Sequence, residues 1–257
     1  MKKKIPDFKN EDSEREFWAT ADSTEYVDWP SGKHQKLVRL KPSLKNDELT
    51  DLGIDDQPRS MRDLSVQKRR EAMLQLPHMA RLSDYVSSLR KRNLGEVPDF
   101  DPFDGGIDAR VLFLFEKPGP MTAKTGKRIG SGFISRNNDD PTAAAIFDFM
   151  RKAGIPRTLT VIWNVVPWWS GTRKVKAQEL REGTACVTAL VDLLPALRTV
   201  VMVGSKAAKA QLLLENRGLV LLTSCHPGPL VKARYRDRWE AIPFEWAKVM
   251  RANSVQL

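Results

Sequence analysis

The chain has 257 residues, 41% of them hydrophobic, and 42 Lys and Arg against 32 Asp and Glu give it a formal charge of +10. That length and apolar content allow one full domain plus an appendage and exclude a globally disordered chain. No apolar run approaches the roughly 20 residues that cross a bilayer, and two cysteines with three histidines exclude an iron–sulfur cluster or a four-cysteine zinc site.

Residues 1–60 are polar, broken by Pro6, Pro30, Pro42 and Pro58, and their aromatic residues are too sparse for an independent core. One short helix is expected from Asp12 to Ala21. The start, MKKKIPDFKNEDSEREF, is basic but lacks the apolar stretch of a signal peptide, so a cytoplasmic protein is expected. This front segment holds 11 basic and 13 acidic residues, a balance of −2, which leaves +12 for residues 61–257. The positive excess of the larger segment suits either a polyanionic partner such as DNA or simply a basic enzyme.

From residue 61 to 93, Leu64, Met73, Leu74, Met79, Leu82, Tyr85, Val86 and Leu89 recur at helical spacing, interrupted near Pro77. After a loop at Pro98–Gly106, short apolar runs alternate with amphipathic stretches. Strands are predicted at Val111–Phe115, Thr160–Val166, Val200–Val203 and Leu219–Thr223. Helices are predicted at Pro141–Ala153, Ala177–Leu194, Lys206–Leu214 (with Ser205 as its cap) and Arg236–Arg251. The alternation implies an α/β fold, a three-layer α/β/α sandwich around a four-stranded parallel sheet. The expected division is an arm over 1–60, a helical lead-in over 61–99 and an α/β core over 100–257. In such sheets function gathers beyond the carboxyl ends of the strands, which singles out FEKPGP, NVVPWW and SCHPGPL.

Those three segments, in that order, resemble the motifs of the uracil-DNA glycosylase superfamily: a form like GEAPG, an Asn after a strand, and a form like HPSPL. The resemblance covers residues 100–257 and implies a cofactor-free DNA glycosylase. Such an enzyme flips a base out of DNA, hydrolyses its N-glycosidic bond and leaves an abasic site. The chemistry asks for a carboxylate near C1′ and a hydrogen-bond donor at the departing base. Glu116 matches the water-activating acid of the first motif. His226 matches the histidine that donates to the base carbonyl and acts best when neutral. Asn164 has the donor and acceptor that suit a pyrimidine edge, and Phe133, in GSGFISRNN, resembles the aromatic that stacks on the flipped base. Pro229 and Leu230 match the stiff loop and its wedge. Lys232, Arg234, Arg236 and Arg238 behind them read either as phosphate contacts or as a solvated helix start. The Lys124, Lys127, Arg128 and Arg136 loop offers a second positive edge. One of Trp168 and Trp169 is expected to pack and the other to meet DNA or roof the pocket. Cys225 reads as a small buried residue.

Three departures from the family pattern bear on substrate. Phe115 replaces the first Gly of GEAPG. Lys117 stands where small or acidic residues are usual, and is read as base-binding, as a partner of phosphate or of Glu116, as an amine nucleophile, or as a solvent-facing lysine. Gly119 stands where strict uracil enzymes place a bulky Tyr, which leaves room beside C5. The pocket is therefore expected to take uracil or a larger modified pyrimidine, in base excision repair or anti-phage defence. A non-catalytic DNA- or toxin-binding module on the same fold is the alternative. At the front, FKNEDSEREFWATADSTEYVDW followed by LKPSLK resembles the leader of CopG-type antitoxins over residues 5–45, without the ribbon-helix-helix that should follow. That resemblance implies a toxin-like protein partner for residues 1–45; the whole chain is expected to be a monomer.

Overall fold

The computed structural model describes residues 3–9, 17, 21, 25–26, 55–125 and 129–254. The chain divides into Met1–Lys45 and Asn46–Leu257. In the first unit Phe17 packs against Phe8 and Tyr26, both ring pairs at 5.3 Å, and Lys3 pairs with Glu25 at 2.6 Å. Most of the helix expected at 12–21 lies outside the described residues, as do Lys127 and Arg128.

The second unit runs α1 (Leu64–Met73), α2 (Pro77–Arg90), β1 (Asp99–Phe100), β2 (Val111–Phe115), β3 (Phe133–Ile134), α3 (Pro141–Lys152), β4 (Thr160–Asn164), α4 (Ala177–Asp192), β5 (Thr199–Val203), α5 (Gln211–Leu214), β6 (Val220–Ser224), α6 (Pro229–Arg234), α7 (Arg236–Trp246) and α8 (Lys248–Ser254). Four of the strands form one parallel sheet in the order β4-β2-β5-β6. Every residue of β2, β4 and β5 is buried, the signature of strands covered on both faces. On one face Phe113 meets Trp246 of α7 at 4.8 Å, and Trp246 meets Phe149 of α3 at 6.0 Å. On the other, Tyr85 of α2 lies 6.3 Å from Trp163 and its hydroxyl donates to the Cys186 carbonyl of α4 at 3.0 Å. The predicted three-layer sandwich is therefore present. Gly183 lets α4 close on the sheet, since a Cβ there would stand 2.3 Å from the Val165 carbonyl oxygen. Among the described residues no helix is long and apolar enough to cross a membrane.

Several boundaries differ from the sequence expectation. Ser205 caps no helix; a 3-10 turn at Ala207–Ala210 precedes the short α5. The last helix is interrupted at Ala247, whose amide still bonds the Pro243 carbonyl at 3.0 Å. Pro229 and Leu230, read as part of a stiff loop, instead open α6, with Pro229 in its first turn, a position that needs no N–H. The boundary expected at residue 60 moves forward, because two carboxylates before it complete a buried ion network. Arg69 holds Asp55 at 2.6 and 2.7 Å, and Arg136 holds Asp56 at 2.7 Å. Arg157, buried, bonds Asp104 at 2.8 Å and also pairs with Asp56 and Asp101.

Removing Arg157 leaves Asp104 without its ion partner and takes one of two cations from each of Asp56 and Asp101, which keep Arg136 and Arg70. Arg157→Met is expected to destabilise the second unit by about 3–5 kcal/mol, seen as a fall in the midpoint of chemical denaturation; an unchanged midpoint would refute the hub. For the same reason a chain starting at Asn46 is expected to keep the full stability of the second unit, whereas one starting at Arg59 loses Asp55 and Asp56. Thermal unfolding of the two truncations compares them directly.

Candidate functional site

The carboxyl ends of β2 and β4, the segment after β3, the start of α3 and the loop after β6 enclose a cleft of about 280 Å³. Glu116, Lys117, Gly119, Asn164 and His226 all line it. Glu116 follows the last residue of β2. Its backbone oxygen accepts from the Val166 amide at 3.0 Å, and its Oε1 accepts from the Lys206 amide at 3.2 Å. That approach depends on Gly204, which has φ +91°; a Cβ there would sit 2.9 Å from Glu116 Oε1. Glu116 and His226 also border a second cleft, lined by Ser205, Tyr235 and Arg238 among others.

Asn164 ends β4 with 5% exposure, and its Oδ1 is buried without a hydrogen-bond partner among the described residues. A buried amide oxygen left unpaired costs about 1–3 kcal/mol, so the cleft holds an acceptor awaiting a donor. His226 supplies the opposite polarity. Its Nδ1 accepts from the Gly228 amide at 3.0 Å, which places the proton of the neutral ring on Nε2. Burial lowers its pKa, against the pull of Glu116 and Asp140, so the ring is a neutral donor. Phe115 meets this ring edge-on at 5.9 Å. Gly119 is extended, and a Cβ there would meet nothing within 4 Å.

A family model described as Uracil DNA glycosylase superfamily matches residues 102–247. The chain belongs to this superfamily. A second model, CopG antitoxin of type II toxin-antitoxin system, matches residues 3–50. No curated protein matches the chain. The family is one of DNA glycosylases, and Glu116, Asn164 and His226 line one cleft.

Not every expected residue reaches that mouth. Phe133 is fully buried against Met61 and Val66 and does not line the cleft; the strand pleat sends its neighbour Ile134 there instead. Phe115 lines the cleft. Arg136, expected at the DNA, is 8% exposed, paired with Asp56 and placed 4.9 Å over the Phe147 ring. Its charge completes the internal network and cannot serve a phosphate. Lys117 is not solvent-facing: its Nζ donates to Ser170 Oγ at 2.8 Å and Glu179 Oε1 at 2.7 Å. Lys124 pairs with Glu71. Trp168 is buried in the core; Trp169 bridges to Glu96, and neither tryptophan lines the cleft. Cys225 is half-buried and borders the second cleft.

The wedge candidates stand outside. Leu230 is 67% exposed in the first turn of α6, beside exposed Pro229. Lys232 lies 4.5 Å over Trp239, Arg234 is exposed, Arg236 pairs with Glu240 at 2.8 Å and Arg238 lies 5.5 Å over Tyr235. Sequence reading missed Asp140 and Arg173, which line the cleft. Asp140 caps α3, accepting from the Thr142 and Ala143 amides at 2.8 and 3.0 Å, while burial raises its pKa against those bonds. An Asp just before Pro-Thr-Ala-Ala is a legible capping signal; that the cap borders the cleft is not.

Proposed function

We propose that this glycosylase domain extracts a damaged or modified base from DNA into the cleft and hydrolyses its N-glycosidic bond. The observation that carries the reading is the unpartnered, buried Asn164 amide oxygen facing a cleft that also holds a carboxylate and a neutral histidine donor. Asn164 hydrogen-bonds the base edge. Glu116 orients a water for attack on C1′ and takes its proton; as the new C–O bond forms, the C1′–N bond breaks and its electron pair leaves with the base. His226 Nε2–H steadies the charge on the base carbonyl. Leu230 fills the gap in the stack, which offsets part of the unstacking cost, and exposed Lys232 and Arg234 meet phosphates.

The open space at Gly119 favours a pocket that takes uracil or a pyrimidine enlarged at C5, in repair or in defence against phage DNA. Oligonucleotides bearing uracil, hypoxanthine, hydroxymethylcytosine and glucosylated hydroxymethylcytosine test this by release of free base. Gly119→Tyr is expected to cut activity on 5-substituted bases by about tenfold or more while sparing uracil. Release of uracil alone by the wild type would overturn the enlarged pocket; retardation of DNA without release would favour a binding module. Residues 1–45, by their similarity to an antitoxin, are read as a protein-binding arm. A chain starting at Asn46 is expected to retain glycosylase activity.

A further inference from the structure

Lys117 follows Glu116 directly, yet the proposed chemistry gives it no task. Its ammonium is only 3% exposed at the side chain, and a buried ammonium persists only where it is fully paired. Here the pairing is specific. Nζ donates to Glu179 Oε1 at 2.7 Å and to Ser170 Oγ at 2.8 Å, with the Lys174 carbonyl at 3.4 Å. Ser170 Oγ also bonds Glu179 Oε1 at 2.7 Å, and Glu179 Oε2 accepts from the Lys176 amide at 2.9 Å. Burial works against the Glu179 carboxylate, but these partners hold its pKa down to about 2. The network therefore ties the end of β2, Ser170 and the first turn of α4 into one closed unit. The chain between Ser170 and Lys176 has no regular structure, and two of its residues, Arg173 and Val175, line the base cleft.

We propose that Lys117 is a positioning residue whose ammonium clamps Ser170 to Glu179, holding the 170–176 segment as one wall of the base cleft so that Arg173 and Val175 face the bound nucleotide. The guanidinium of Arg173, which shares the cleft with the Asp140 carboxylate and feels its charge, is then a specificity determinant for an acceptor oxygen on that nucleotide, either a phosphate or a base substituent. The proposal rests on the glycosylase reading only for its kinetic arm.

Exposed Arg173, Lys174 and Lys176 make the segment its own probe, because trypsin cuts after each of them. Lys117→Met and Glu179→Gln each break the clamp and are expected to speed cleavage at 173–176 by about tenfold, the worth of one buried charge-assisted bond. Lys117→Arg, which keeps the pairing, is expected to restore slow cleavage. On a substrate the wild type cleaves, the first two variants are expected to raise KM by about tenfold with a smaller change in kcat. Arg173→Gln is expected to raise KM likewise; loss of its salt dependence assigns the partner to phosphate, and selectivity among bases assigns it to a substituent. Wild-type rates of cleavage at 173–176 in both clamp variants would overturn the proposal, whether or not any substrate is found. Loss of kcat with unchanged KM and unchanged proteolysis would also overturn it, since Lys117 would then act on the reacting atoms.

Discussion

Glu116→Gln is expected to lower abasic-site formation by about 10²–10⁴-fold, the usual contribution of a positioned general base. The amide keeps the shape of the side chain and its bond from the Lys206 backbone, but it cannot take a proton from water. DNA binding and thermal unfolding should match the wild type, because Glu116 lies at the cleft and is not part of the buried core. The measurement is strand scission at abasic sites in a labelled oligonucleotide after alkali treatment. Retention of the wild-type rate would sink the assignment. Gly204→Ala approaches the same centre from behind: its Cβ would press on Glu116 Oε1, and its φ of +91° is poorly tolerated by a side chain.

His226→Ala is expected to cost about 10²–10³-fold in kcat, the typical loss when a preorganised donor at developing negative charge is removed. The pH dependence adds a check on mechanism. Burial puts the His226 pKa below the ordinary value near 6.5. The ring is thus neutral at pH 7, and protonation at lower pH would place a proton on Nδ1 and break the Gly228 bond. The rate should be flat from pH 8 to about 6.5 and fall only below that. The stability sign is the same. A histidine whose folded pKa is lowered contributes stability above its unfolded pKa, and that contribution is lost as pH falls. A rate that climbs between pH 7 and 6 would show that the charged imidazolium, not the neutral ring, is the active form.

Glu116 and His226 are legible because each stands one or two residues past a strand, where a parallel sheet exposes its functional edge. Asn164 is legible for the same reason, and the structure adds that its amide oxygen is unsatisfied. Phe133 shows the limit of motif reading. Its neighbourhood in sequence fits a stacking aromatic, but on a two-residue strand the choice between cleft and core is set by the pleat, and one residue's shift reverses it. Arg136 and Lys117 show the same limit for charge. Sequence reads Arg136 as a DNA contact and Lys117 as a base-binding residue, while the fold supplies each with a carboxylate distant in sequence, Asp56 and Glu179.

By itself the sequence determined the α/β sandwich, the order of its strands and helices along the chain, and which strand ends border the cleft. These depend on local periodicity and on a parallel sheet having one functional edge. It also showed that the +10 balance belongs to the residues after 60. Only the tertiary structure decided where that charge goes. Arg70, Arg136 and Arg157 are spent on buried carboxylates, and Lys117 on a clamp. The cations left near Leu230 are the exposed ones on α6 and α7. The physical reason is that a charge is valued by its surroundings: a buried ion requires a partner brought in from far along the chain, and no local pattern of residues records which partner arrives.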